Sequence, residues 1–277
     1  MPHLKARALL LALLIFPVMG SAGPLEGDSR IRIGGTGGAL ASLQLLGEAF
    51  KKVQPTVSIV TVPSLGSSGG INAMLASAID LAVSSRPLKE AERGQGATAT
   101  DYARTPVVFA TAARFGTSAI TTGELVGIYA GEVTTWPDGR TLRLVLRPES
   151  ESDTDIVKSL SPAMNQAVKS ALARQGMIIA STDKVNADHL EKIHGAIGAI
   201  TLSQIITEKR ALLPLALNGV MPSLQTLDNG SYPYAKTFSL ITTPKASLQA
   251  RQFVAFVRSP EARQILEKSG QSQVPGK

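Results

Sequence analysis

The 277 residues contain no cysteine. That excludes a disulfide scaffold, a zinc–thiolate site, an iron–sulfur cluster, a cysteine nucleophile and lipid attachment through cysteine. Histidine occurs only three times, once as His3 near the N-terminus, too rarely for a histidine-rich metal centre. Aromatic residues make up 4%, which argues against surfaces built on base or sugar stacking. Acidic residues are outnumbered, 21 against 28 lysines and arginines, for a formal net charge of +7. The basic residues are scattered, whereas a nucleic-acid face would concentrate them, so no nucleic-acid partner, metal or cofactor is expected. A modest positive field suits a small anionic ligand. At 44% hydrophobic and 18% charged, the composition is that of a folded protein, long enough for one large domain or two smaller ones.

Long apolar runs are confined to the start of the chain. Lys5 and Arg7 precede an apolar run over residues 8–19, and Gly20, Ser21 and Ala22 follow it. This order predicts a secretory signal peptide over residues 1–22, since the run is short for a membrane span. Cleavage after Ala22 removes Lys5 and Arg7 and takes the net charge from +7 to +5. The expected product is soluble and periplasmic, with no cysteine to tether it.

The remainder alternates strand-like and helix-like patterns, which predicts an α/β fold. Strands are expected at 31–33, 57–62, 81–83, 106–111, 142–146, 196–200 and 238–242. One helix carries Leu43, Leu46, Phe50 and Val53 on one face and stops before Pro55; another carries Ile71, Met74, Leu75 and Ala78. A short helix is expected at 125–129, a loop at 94–101, and a C-terminal helix opened by Ser259-Pro260-Glu261.

The informative feature is a recurrence. Three times a strand runs into a loop rich in Gly, Ser or Thr and then a helix: at 34–38, at 66–70 and at 150–154. Glycine lets backbone N–H groups approach a ligand closely, hydroxyls add adjustable donors, and a helix start leaves N–H groups unpaired. These parts together suit an anion. Arg147, at the end of a strand, can add a bidentate fork. Neither the P-loop pattern nor the dinucleotide fingerprint is present, so a small tetrahedral anion is expected rather than a nucleotide.

These loops give the chain its likeness. It resembles the periplasmic phosphate-binding subunit of phosphate ABC importers, a type-2 periplasmic binding protein family. The likeness rests on residues 34–39, Gly66-Ser67-Ser68-Gly69-Gly70, Ile79-Asp80, Ser84-Ser85-Arg86-Pro87-Leu88, Ile128-Tyr129-Ala130-Gly131, Thr135-Trp136, residues 147–154, Gly195-Ala196-Ile197-Gly198 and Tyr232-Pro233. It implies two α/β lobes joined by two hinge strands, near 106–112 and 235–242, with a ligand cleft between them that closes by hinge motion. Residues 23–108 with 238–277 would form one lobe and 109–237 the other. It implies a monomer that captures phosphate or a related oxyanion for an ABC permease in the inner membrane. The implied ligand contacts are Thr36, Gly38 and Ala39 in the first loop, Ser67 and Ser68 in the second, Ser85 and Arg86 after the third strand, and Arg147, Ser152, Asp153 and Thr154 in a loop one residue longer than the family's.

One departure bears on selectivity. The family has an aspartate where Ser85 stands. A carboxylate accepts from a protonated phosphate oxygen and repels fully ionised sulfate; a serine does not discriminate in that way. Glu149 is a candidate replacement, though Glu149 and Asp153 also fit as ordinary helix-start acids. Two other readings remain: an exported oxyanion sensor or partner-binding protein without a transport role, and a serine hydrolase. The hydrolase reading takes Gly66–Gly70 as a nucleophile elbow at Ser68, with His189 or His194 as base and Asp183 as orienting acid.

Overall fold

The computed structural model describes residues 29–113 and 118–275. The leader and its cleavage point lie outside them. The chain runs β1 (Ser29–Gly35), α1 (Leu40–Val53), β2 (Val57–Thr61), α2 (Gly66–Leu75), β3 (Leu81–Ser84), α3 (Glu90–Gly94) and β4 (Thr98–Ala112). It continues through β5 (Ala119–Ile120), α4 (Thr122–Ala130), β6 (Arg143–Leu146), α5 (Ser152–Lys158), α6 (Pro162–Ala173), β7 (Ile178–Ile179), α7 (Asp183–Lys192) and β8 (Ala196–Thr201). Then follow α8 (Leu202–Thr207), β9 (Leu212–Pro214), β10 (Ala216–Leu217), α9 (Leu224–Asp228), β11 (Ala235–Thr242), α10 (Leu248–Phe256), α11 (Pro260–Lys268) and β12 (Ser272–Gln273).

The main sheet has the order β2-β1-β3-β11-β4-β8-β6-β7, with β9 and β12 also on β4. The strands β1, β2 and β3 are mutually parallel, as are β6, β7 and β8. The antiparallel β4–β11 pair separates these two parallel groups. Strand β3 (Leu-Ala-Val-Ser) and strand β8 (Ala-Ile-Gly-Ala-Ile-Thr) are buried along their whole length. Such continuous runs are what helices on both faces of a parallel sheet require.

Two main cores result. One packs Ile31, Ile33, Leu43, Leu46, Phe50, Tyr102 and Phe238 with Phe253 and Leu266 of the C-terminal helices. The other packs Val107, Phe109, Leu144, Leu146, Met164, Ile197 and Tyr232. The exposed Val53 lies off the face that Leu43, Leu46 and Phe50 bury, because the helix is ending there. Helix ends follow local chemistry: Thr121 and Glu124 form a capping box on α4, which ends at Gly131 in the left-handed region, φ 83°. Ser259 caps α11 ahead of Pro260.

Three elements differ from expectation. Residues 66–70 form the first turn of α2 rather than a loop before it. Gly70 is required there: a Cβ at that position would come within 2.5 Å of the Gly35 Cα, so α2 packs directly on the β1 backbone. Residues 98–101 are strand, not loop, since Thr98–Asp101 pairs with β11 and extends β4 to 15 residues. After α11 the chain returns as β12 beside β4. Among the described residues no helix is long and apolar enough to cross a membrane.

Candidate oxyanion-binding cleft

Parallel strands present their carboxyl ends on one edge, and ligands of open α/β sheets bind there. Here β1 delivers Thr36–Ala39, β2 leads to Ser67 and Ser68 at the start of α2, and β3 delivers Ser85 and Arg86. From the other parallel group, β6 delivers Arg147 and the start of α5, and β7 leads to Asp183 at the start of α7.

Four predicted hydroxyls converge. Ser85 Oγ lies 2.9 Å from Ser152 Oγ, 3.2 Å from Ser67 Oγ and 3.5 Å from Thr36 Oγ1. The Ser85 N–H donates to Ser67 Oγ at 3.0 Å. The Ser85–Ser152 contact joins the two parallel groups. Beside it lies a cavity of about 100 Å³ bounded by Ser67, Ser68, Arg86, Ser150, Glu151 and Ser152. That is room for about three waters, or for one small oxyanion in their place. Arg86 is already committed: it donates to both oxygens of Glu92, at 3.0 and 2.6 Å, and to Ser68 Oγ. The Arg86 bond holds the Glu92 carboxyl below the usual carboxylate range, against a smaller upward push from burial.

The first loop is a single 3-10 turn, Gly37–Ala39, running into α1. The Ala39 N–H donates to the Thr36 carbonyl at 3.3 Å, so it serves the turn itself. The N–H groups of Gly37 and Gly38 instead face the Asp183 carboxylate.

Arg147 is buried and surrounded by oxygen. It donates to the Ala180 carbonyl at 2.5 Å and lies 3.4 Å from Asp183 Oδ1, 3.4 Å from Glu151 Oε2 and 3.6 Å from Asp153 Oδ2. Thr154 turns its hydroxyl back onto the Arg147 and Pro148 carbonyls and so fixes the loop. Lys236, on β11, is fully buried, with Nζ 2.7 Å from Asp153 Oδ1 and 3.9 Å from Asp183 Oδ1. Burial pushes the Asp183 carboxyl up, but Lys236, Arg147 and the Gly37 and Gly38 N–H groups outweigh it and hold it below the usual range. Burial pushes Glu151 up; Arg147 opposes this only in part.

The structure therefore gathers Thr36, Ser67, Ser85, Arg147, Ser152 and Asp153, and sets Ser68 and Arg86 on the rim. Sequence reasoning missed Lys236 altogether and gave Asp183 only a hydrolase role. A lysine next to the start of the strand Ala-Lys-Thr-Phe-Ser-Leu-Ile-Thr was the available signal for the first. Glu149 is no replacement for the family aspartate: its carboxylate is exposed and bonds Lys158 at 2.6 Å. Asp153 does lie in the first turn of α5, but it is buried between Lys236 and Arg147. For the hydrolase reading, Ser68 Oγ is held by Arg86 while Asp183 serves Gly37 and Arg147, so the two act on different partners.

Two α/β lobes about a shared pair of strands, with a polar cleft at the strand ends, define the two-lobed binding-protein fold. The chain belongs to the PBP superfamily, whose domain it matches over residues 21–261. It is 28% identical to the phosphate-binding protein PstS of Borreliella burgdorferi over 224 residues, 76% of this chain and 78% of that protein. It is also 28% identical to protein SphX of Synechococcus elongatus, over 92% of this chain and 81% of that one. Its fold is similar to that of a candidate phosphate ABC transporter substrate-binding protein from Clostridium perfringens, solved with bound phosphate. That match has a TM-score of 0.76 and 20% identity and covers 89% of this chain and all of the other. An ABC-type phosphate transport receptor from Vibrio cholerae gives a TM-score of 0.62 at 18% identity, covering 89% and 100%.

Proposed function

We propose that the protein captures phosphate, or a closely related tetrahedral oxyanion, outside the cytoplasm and hands it to an ABC permease. The observation that carries this reading is the meeting of Ser67, Ser85, Ser152 and Thr36 hydroxyls from loops of both lobes, next to buried Arg147. Hydroxyls, glycine N–H groups and one guanidinium supply many donors to oxygens that need several each. The relative named for phosphate binding supports the same choice. On this reading the chain is exported by cleavage of residues 1–22 and acts as a monomer. Residues 23–108 with 238–277 form one lobe and 109–237 the other, with β4 and β11 as hinge strands. Thr36, Gly38, Ser67, Ser85, Arg147 and Ser152 contact the ion.

Calorimetric titration of the mature protein, unfolded and refolded to strip bound ligand, tests this. Phosphate is expected to give saturable heat and to raise Tm; at about a hundred times Kd it adds about 2.7 kcal/mol of stability. Absence of both effects with phosphate, arsenate and sulfate would falsify the reading. Selectivity follows from Ser85. Without a carboxylate at that position, sulfate is expected to compete measurably with phosphate. Ser85→Asp introduces an acceptor-only group among Ser67 and Ser152 and should shift the phosphate-to-sulfate affinity ratio toward phosphate by about tenfold, one charged hydrogen bond's worth. An unchanged ratio would show that position 85 does not face the ligand.

A further inference from the structure

The donors that an incoming oxyanion would use are not idle. Asp183 Oδ2 accepts the Gly37 N–H at 2.7 Å and lies 3.5 Å from Thr36 Oγ1; Oδ1 lies 3.4 Å from Arg147 Nη2 and 3.9 Å from Lys236 Nζ. The Gly38 N–H faces the same carboxylate. A glycine-loop N–H pair, a threonine hydroxyl and one guanidinium nitrogen thus converge on one buried carboxylate, which has the charge and oxygen geometry of one edge of an oxyanion. The contact also crosses the cleft. Asp183 opens α7, whose Ala187 and Leu190 pack with Val145 and Ile200 in one lobe, while Gly37 follows β1 in the other. The fit is close: a Cβ on Gly37 would come within 2.8 Å of Asp183 Oδ2.

We propose that Asp183 is an internal competitor for the oxyanion: it occupies the N–H groups of the glycine loop and Nη2 of Arg147, bridges the lobes, and sets how tightly the ligand binds. This rests on the oxyanion reading of the cleft. Charge balance gives the reason for competition. Arg147 and Lys236 already face three carboxylates: Asp153 and Asp183 lie against both cations, and Glu151 lies against Arg147. An anion added with Asp183 still in place brings uncompensated negative charge into a desolvated site, which is strongly unfavourable. Both Asp183 oxygens are already turned onto the donors the ligand needs, so the ligand must displace the side chain. Affinity is then the difference between two anions for one set of donors.

The test combines two readouts on the mature protein. In small-angle scattering, stripped wild type is expected to have the same radius of gyration with and without phosphate. Asp183→Asn is expected to be more open without phosphate and to contract when it is added. In calorimetry, Asp183→Asn and Asp183→Ser are expected to bind phosphate at least tenfold more tightly than wild type. Weaker phosphate binding by both variants, with lost discrimination against sulfate, would make Asp183 a ligand contact and overturn the proposal; unchanged affinity would overturn it too. If neither variant folds, scattering from wild type still decides: a stripped protein that is open and closes on phosphate has no Asp183 latch. If wild type and variants bind no oxyanion, the phosphate reading fails, and the scattering comparison separately settles the latch.

Discussion

Lys236→Met is expected to destabilise the protein by about 3–5 kcal/mol, the range for removing one partner of a buried ion pair. For a chain of this size that is a fall in Tm of roughly 6–20 °C. The Lys236 side chain has no exposed surface, and its ammonium lies between Asp153 and Asp183. Methionine fills the aliphatic volume, so packing is largely kept and the loss is electrostatic. It leaves two buried carboxylates facing Arg147 alone, with Glu151 nearby. Differential scanning calorimetry of wild type and variant at neutral pH reads the effect; a change below about 1 kcal/mol, the scale of an exposed pair, would show that the site is hydrated. Adding Asp153→Leu to Lys236→Met should recover much of the loss, because replacing a buried pair by apolar residues is often neutral. The pH dependence has a definite sign. Burial pulls the Lys236 ammonium down, but Asp153 and Asp183 more than offset it and raise its pKa above the ordinary value. Its contribution is therefore full below the unfolded lysine pKa of about 10.4 and is lost only as pH rises through the higher folded value. Asp183, held low, behaves oppositely: its contribution is present above about pH 3.9 and is lost as pH falls through the depressed folded pKa. The stability difference between wild type and Lys236→Met should thus be largest between those limits.

Arg147→Ala is expected to weaken phosphate binding by about 2–5 kcal/mol, from about thirtyfold to a few thousandfold. The residue is buried at the end of β6, and its loop is fixed by Thr154. It supplies a planar fork that lysine does not reproduce, so Arg147→Lys should recover only part of the loss. Calorimetry with phosphate distinguishes this from a general loss of structure, provided that circular dichroism shows both variants folded. Binding retained within a few-fold in Arg147→Ala would place the ion elsewhere in the cleft, nearer Arg86 and Ser68.

The two variants probe different faces of one charge cluster. Arg147 was visible as a strand-terminal arginine beside a serine-rich loop. Lys236 was not, because it sits 53 positions from Asp183 and 83 from Asp153 in sequence, and no spacing rule reaches that far. Asp183 was visible only as the orienting acid of the hydrolase reading; it opens α7, a position acids take for reasons unrelated to ligands. Its role depends on Gly37, 146 residues away.

Local patterns determined a good deal by themselves. The alternation of short apolar runs with amphipathic segments specifies parallel strands and covering helices, since burial on two faces demands one and burial on one face the other. The Gly, Ser and Thr loops mark the strand ends where backbone donors are left open, because few other residues permit that approach. Serine or threonine ahead of a helix marks its start, because the hydroxyl satisfies an otherwise unpaired N–H. Tertiary structure alone decided the rest. The first four residues of β4 read as a polar loop until β11 pairs with them, since a ladder satisfies backbone groups whatever the side chains are. Which acid faces which base was likewise settled in three dimensions: Glu149 and Glu151 are two residues apart, yet one reaches outward to Lys158 and the other inward to Arg147. Sequence displays the charges of this protein, but the energy of a charge depends on distance and solvent exposure, and only the folded chain assigns those.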